Sequence, residues 1–313
     1  MKTTKMKISF IIGLLAVMFS SQLYAQRQVL VDTKKTFEGV NRLEVNSGFL
    51  EVEYIGSKNT NDLTVEAYLE STQDNQDIVF VSLGEILKIS YQQNGKSISW
   101  GVNQTKGHIK IKGPENIQLN FAGGSGKISV NGVSSDLTTL KIGSGNLDIS
   151  NVSGSLNTHA GSGRINIKNT NGDVNLRMGS GSANLSHVAG DANISFSSGS
   201  MKAENIGGQL SLSLSSGNAK LSNVGQIGSV SVSSGSVKAE QAGLSSMTNL
   251  KASSGSIKIN TNSNLDDYNY NLKATSGSLR VGNNRKGKTL QINNGSSNMV
   301  NGSVSSGSIS IEN

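Results

Sequence analysis

A serine-glycine pair recurs along this chain at a spacing too regular to be accidental, and that spacing limits the folds open to it. The glycines of the pair stand at Gly126, Gly145, Gly163, Gly181, Gly199, Gly217, Gly235, Gly255, Gly277 and Gly307. From Gly145 to Gly235 every step is 18 residues. A fixed period of this length marks a repeat architecture in which each unit covers the next. After each glycine the second and fourth residues are apolar, as in Ile165 and Ile167, Ala183 and Leu185, or Met201 and Ala203. Alternation with period two predicts a strand with those positions turned inward. In the regular repeats a second glycine follows at Gly154, Gly172, Gly190 and Gly208, and after it a second alternating strand begins. Val174, Leu176 and Met178 belong to that strand in one repeat; Ala192, Ile194 and Phe196 occupy the same places in the next. A lone apolar residue between the two strands (Val152, Val188, Ile206, Val224) predicts a short third side.

One such coil has nothing against which to bury its inward side chains, so the coils must stack. The expected fold is therefore all-β: a single-stranded, right-handed parallel β-helix, or β-solenoid, of about 18 residues per rung, with rungs roughly 4.8 Å apart. Ten rungs would make a rod roughly 45 to 50 Å long at that spacing. The 37 glycines and the aromatic content of 4% suit a narrow core with many turns. The absence of cysteine excludes disulfides, thiolate metal sites and a cysteine-linked lipid anchor.

Three segments are expected. In residues 1–25, Lys2, Lys5 and Lys7 precede an apolar run from Ile8 to Phe19 and a small polar stretch ending at Ala25, the pattern of a secretory signal peptide. The run falls short of the roughly 20 residues of a membrane span. The protein is thus expected to be exported, to the periplasm, the outer-membrane surface or the medium. Residues 26–120 hold irregular strand-like runs, read as N-terminal rungs and a cap, with a separate β domain as the alternative. Ser47 and Gly48, followed by Leu50 and Val52, form an early, degenerate rung. Residues 121–313 carry the regular repeats, with Gly277 and Gly307 opening the last two. That order leaves the final strand as an edge open to another molecule, blunted by Glu312 or by the irregular stretch 283–303.

The net charge of +7 includes the three leader lysines, so 7 − 3 = +4 remains, which argues against a nucleic-acid binder. The third residue after the glycine is cationic in five repeats: Lys202, Lys220, Lys238, Lys258 and Arg280. Stacking places these in one outward column, a strip suited to an acidic glycan or lipopolysaccharide. The plainer expectation is a solvated face. Two charges one rung apart repel by only ~0.9 kcal/mol in water, exposed lysines keep sheets from aggregating, and Glu204 and Glu240 share the face. Asparagines recur at the sixth residue after the glycine (Asn151, Asn169, Asn205, Asn223) and on the second strand (Asn157, Asn175, Asn193). Stacked amides of both sets are expected to hydrogen-bond along the rod and hold register.

No chemistry-bearing constellation emerges. His108, His159 and His187 share no repeat column with a pair of carboxylates, and Asp173 and Asp191 are too isolated to fill turns with calcium. No serine has the strand-to-helix setting of a hydrolase nucleophile. No catalytic residue, metal or cofactor is expected. The reading is a non-enzymatic adhesin or scaffold of the envelope, whose partner is an acidic glycan, lipopolysaccharide or another envelope protein. The alternative is a glycan-binding or polysaccharide-cleaving module that uses the basic column.

The run IKIKGPENIQLNFAGGSGKISV, from Ile109 to Val130, precedes the repeated serine-glycine rungs and follows LEVNSGFLEVEY, from Leu43 to Tyr54. Together these resemble the bacterial putative-adhesin families of β-strand repeats, related to the head-GIN-domain group. The resemblance spans nearly the whole mature chain. It implies an envelope-located β-helix with an adhesin role and supplies no catalytic residues.

Overall fold

Nearly every alternating run of the sequence becomes a strand, and the strands join in one sheet that winds around a single buried interior. The computed structural model describes residues 27–95 and 104–313; the signal-peptide expectation at 1–25 lies outside the described residues. Among these, helical structure is limited to the single turn Leu265–Asp267. The N-terminal strands are β1 (Gln28–Phe37), β2 (Arg42–Asn46), β3 (Glu51–Ser57), β4 (Leu63–Ser71), β5 (Gln76–Leu83), β6 (Ile86–Gln93) and β7 (Thr105–Pro114). The central body is made by β8 (Gln118–Asn171), β9 (Val174–Val188) and β10 (Ala192–Ala252), long ribbons that turn corners without losing their ladders.

The central ladders are parallel, and partners stand 18 residues apart: Ile165 beside Ala183 and Ala183 beside Met201, Ile167 beside Leu185 and Leu185 beside Ala203. The second strand stacks likewise, with Leu156, Val174 and Ala192 in one file and Ala160, Met178 and Phe196 in another. All of these are buried. Small and large residues alternate along the files, so Ala183 makes room for Ile165 on one side and Met201 on the other, as close packing requires. The third side is equally buried, with Val188 between Thr170 and Ile206.

Two local conformations make the corners. At one, the repeat glycines from Gly145 to Gly235 lie so close to the rung before them that only hydrogen fits. At the other, Asn151, Asn169, His187, Asn205, Asn223 and Gln241 all adopt the left-handed conformation, with φ between 52° and 58°. Asparagine tolerates that region better than other residues bearing a β-carbon, which accounts for its recurrence there.

The two ends depart from sequence order. The last strands are β11 (Ser256–Asn260), β12 (Asn269–Ala274), β13 (Ser278–Val281), β14 (Asn284–Lys286), β15 (Thr289–Ile292), β16 (Met299–Val304) and β17 (Ser308–Glu312). β17 runs parallel to β11 on one side and to β13 on the other, and β16 likewise lies between β10 and β12. The chain leaves a gap one rung wide, lays down β12 and β13 beyond it, covers them with antiparallel β15 and β14, and returns to fill the gap. The expectation of a final strand with an open edge is therefore corrected: both edges of β17 are paired. The antiparallel pair β14 and β15 covers this end, and Arg285, Lys286 and Lys288 charge it.

The N-terminal end repeats the device. β2 lies between β6 and the start of β8, and β3 lies between β7 and β8, with Leu43 beside Leu119 and Val52 beside Ile128. Antiparallel β4 and β1 follow outside β7, and β5 outside β6. Tyr54 and Phe121 meet edge to face across this junction, and the buried Tyr54 hydroxyl donates to the Pro114 carbonyl. Desolvation there pushes the Tyr54 hydroxyl well above the usual phenol range.

Candidate functional site

Three outward features could meet a ligand: the cations on the first strand, the asparagines at the corner, and the face of the second strand.

The five cations of the first strand do not form an unbroken file. Lys202, Lys220 and Lys238 follow one another on successive rungs, and Lys258 lies beside Lys238. Ser310 of the returning strand β17 stands between Lys258 and Arg280. Carboxylates accompany most of them. Lys202 reaches Glu204 at 2.7 Å, Lys238 reaches Glu240 at 2.6 Å, Lys258 pairs with Glu312, and Arg280 meets the same Glu312 at 3.2 Å. The lysine hydrogen bonds hold the carboxyls of Glu204, Glu240 and Glu312 below the usual glutamate range. Of the five, Lys220 alone lacks such a carboxylate partner among the described residues. This face carries local ion pairs that involve four of its five cations.

The corner asparagines are occupied with one another. Asn151 Nδ2 donates to Asn131 Oδ1 at 2.7 Å, Asn169 to Asn151 at 3.0 Å, and Asn223 to Asn205 at 3.0 Å; Asn205 and His187 are 3.2 Å apart. A shorter ladder on the first strand runs from Asn184 through Asn166 to Asp148. Asp173 and Asp191 serve the backbone at their own corner, accepting from the amides of Asp191 and Gln209 at 2.8 and 2.7 Å. These amides and carboxylates hold register, as expected for the corner set.

The second-strand asparagines behave differently. Asn157, Asn175 and Asn193 are in register with one another, yet no side-chain hydrogen bond joins them among the described residues. Ser211 and Ser229 interrupt this file before it resumes at Asn249, Asn301 and Asn271, and the Oδ1 of Asn271 is buried without a partner. The expectation that both asparagine sets lock register therefore holds for one only. These free amides line a groove of about 880 Å³ from Thr139 to Ser231, and a second of about 390 Å³ continues it from Ser229 to Ser303.

Beside the asparagine file runs a second outward file: Lys141, His159, Arg177, Ser195, Ser213, Ser231, Lys251, Ser303 and Lys273 in spatial order. Lys141, Arg177, Lys251 and Lys273 are exposed and make no ion pair among the described residues. Neither file contains a carboxylate over these nine layers. Sequence reasoning overlooked these cations because they never occupy adjacent repeats and because Lys251 and Lys273 fall after the period has lengthened. Reading the outward file of the second strand through those longer intervals would have found them.

The histidines are dispersed. His159 lies in the groove, and His187 belongs to the corner ladder. His108 stacks on Tyr68 with ring centres 5.7 Å apart and stands 3.8 Å from Glu66, so one histidine does have a carboxylate neighbour that the repeat columns do not reveal. Among the described residues no group of three or more metal-binding side chains occurs, and none of their helices is long and apolar enough to cross a membrane.

Among curated proteins none matches the chain. Solved structures similar to it include a "putative lipid binding protein" from Parabacteroides distasonis (17% identity, 93% of this chain and 98% of that one, TM-score 0.47). Two more are a "putative adhesin" from Parabacteroides merdae (12%, 93% and 98%, 0.34) and one from Bacteroides fragilis (14%, 91% and 97%, 0.30). The sequence also matches one family model twice, over residues 59–172 and 170–312. With nearly all of the described chain inside those two matches, it belongs to the Toastrack DUF4097 family.

Proposed function

We propose that this chain is a non-enzymatic adhesin or scaffold of the cell envelope, exported by the leader at 1–25. In this reading it is a right-handed solenoid of about 18 residues per rung, with residues 26–120 as N-terminal rungs and cap and 121–313 as the repeating body. The observation that carries the binding role is the second-strand groove, where unbonded amides and unpaired cations face outward together. Amides left without partners on a surface that elsewhere ties its asparagines into ladders are available to a ligand. The ion-paired column from Lys202 to Arg280 serves as a solvated face that keeps the sheet from aggregating.

Polysaccharide cleavage is the competing reading, and polymer length separates the two. The purified chain is incubated with hyaluronan, polygalacturonate and dextran, and the polymers are sized by gel filtration. The expected result is polymer recovered at its starting length, with binding seen as co-elution; shortened products would overturn the adhesin reading.

A further inference from the structure

We propose that the second-strand groove binds an extended acidic polysaccharide carrying one carboxylate for every two sugars, a ligand class that refines the adhesin reading and rests on it. The argument begins with spacing. Lys141 and Arg177 are two rungs apart with His159 between them, and Lys251 and Lys273 are two rungs apart with Ser303 between them. Between the pairs, three serine layers separate Arg177 from Lys251. Counted from Lys141, every cation therefore falls on an even layer, and Ser213 is the even layer without one. Two rungs measure ~9.6 Å, which is close to the length of a disaccharide in an extended glycan. A ribbon-like polymer that turns the same edge outward at every second sugar brings its carboxylates to the cations in succession.

The file alongside supplies the second element of recognition. Asparagine offers both donors and an acceptor, and two runs of three one rung apart, Asn157, Asn175 and Asn193, then Asn249, Asn301 and Asn271, can meet the hydroxyl and ring oxygens of successive sugars. Serine at three of the four intervening layers (Ser195, Ser231 and Ser303, with His159 at the other) keeps the floor there shallow and uncharged. The first-strand face lacks both properties. Its lysines follow on consecutive rungs, and carboxylates already occupy Lys202, Lys238 and Lys258. Charge complementarity thus selects the second-strand face and a polyanion of moderate charge density.

The test uses the full mature chain and titration calorimetry at low salt. Hyaluronan, with one carboxylate per disaccharide, is expected to bind, polygalacturonate, with one per sugar, more weakly, and dextran not at all. Replacing the four cations together (Lys141→Ser, Arg177→Ser, Lys251→Ser and Lys273→Ser) is expected to weaken hyaluronan binding by at least about tenfold. Ser213→Lys, which fills the missing even layer, is expected to tighten it severalfold. Lys202→Ser, Lys220→Ser and Lys238→Ser on the other face leave it unchanged. All these side chains are exposed, and unchanged melting curves verify that the variants fold.

The proposal is overturned if the wild-type chain fails to bind hyaluronan or binds dextran or polyphosphate better. It is likewise overturned if the fourfold variant keeps its affinity, or if the first-strand variant loses as much. Those results would leave a scaffold that works through another surface, whereas shortened hyaluronan would remove the adhesin reading itself.

Discussion

Deleting residues 299–313 is expected to release the whole C-terminal cap while leaving the central rungs folded. β16 and β17 fill a gap between rungs, so their removal separates β12 and β13 from the parallel partners that join them to the body. Val300, Val304, Ile309 and Ile311 are each at most 4% exposed. Burying a side chain of this kind contributes ~1.5–3 kcal/mol, or roughly 6–12 kcal/mol for the four. The strands on either side would also lose cover for their own inward residues, Ile257 and Ile259 on one and Leu279 and Val281 on the other. Because each rung contacts its neighbours alone, the damage stays local. Limited proteolysis should cut the truncated chain between 261 and 298 and spare the segment from 118 to 252. If the final strands were simply the last rung, deletion would expose one new edge and leave 261–298 resistant.

Gly199→Ala is expected to destabilise the centre by about 3 kcal/mol or more, through two causes acting together. The residue has φ 126°, outside the region that residues with a β-carbon favour, and a Cβ there would lie 2.0 Å from the carbonyl oxygen of Gly181. That oxygen belongs to the backbone of a neighbouring rung, so relief requires the rungs to separate or the corner to move. Gly295→Ala isolates the first cause, because φ is 71° there and a Cβ would meet nothing within 4 Å. It should cost about 1 kcal/mol. Urea midpoints of the two variants check the difference; equal losses would mean that the glycine corner tolerates a methyl group.

Much of this architecture was legible because period two and period 18 act together. The first says which side chains turn inward, and the second says which of them meet, so Ile165, Ala183 and Met201 could be placed in one file from their numbers. The degenerate rung at Ser47 was legible from its serine-glycine pair and period two alone, and its neighbours were not, since Val52 stands beside Ile128 with no period of 18 to link them. The order of the rungs at the ends was not. A strand such as Ile309 to Ile311 fits equally well above or below Leu279 to Val281, since both present the same inward pattern. The turn that follows β13, with Gly282 at φ 53°, sends the chain back antiparallel as β14, and that reversal decides where β17 goes.

The candidate site was legible in kind and misplaced in position. Outward cations and asparagines were both visible, but identical residues at identical spacing drew attention to Lys202, Lys220 and Lys238, where Glu204 and Glu240 form ion pairs. The cations left unpaired alternate with histidine and serine, a pattern with no single-residue signature. The asparagines divide on backbone grounds. Asn151 and Asn169 sit at left-handed corners where their amides meet those above and below, whereas Asn157 and Asn175 project from a flat strand into the groove.

The returning strands β16 and β17 fill one rung together, β17 completing the cap and β16 setting the even spacing of the groove cations, and the absence of native cysteine makes that rung open to a direct measurement. Three double-cysteine variants are oxidised and their cross-links identified by mass spectrometry: Lys258→Cys with Ser310→Cys, Arg280→Cys with Ser310→Cys, and Lys258→Cys with Arg280→Cys. A disulfide requires Cα atoms within about 7 Å, which neighbouring rungs satisfy and rungs ~9.6 Å apart do not. The first two pairs should link and the third should not. Efficient linkage of Lys258→Cys to Arg280→Cys, with Ser310→Cys left free, would contradict the account.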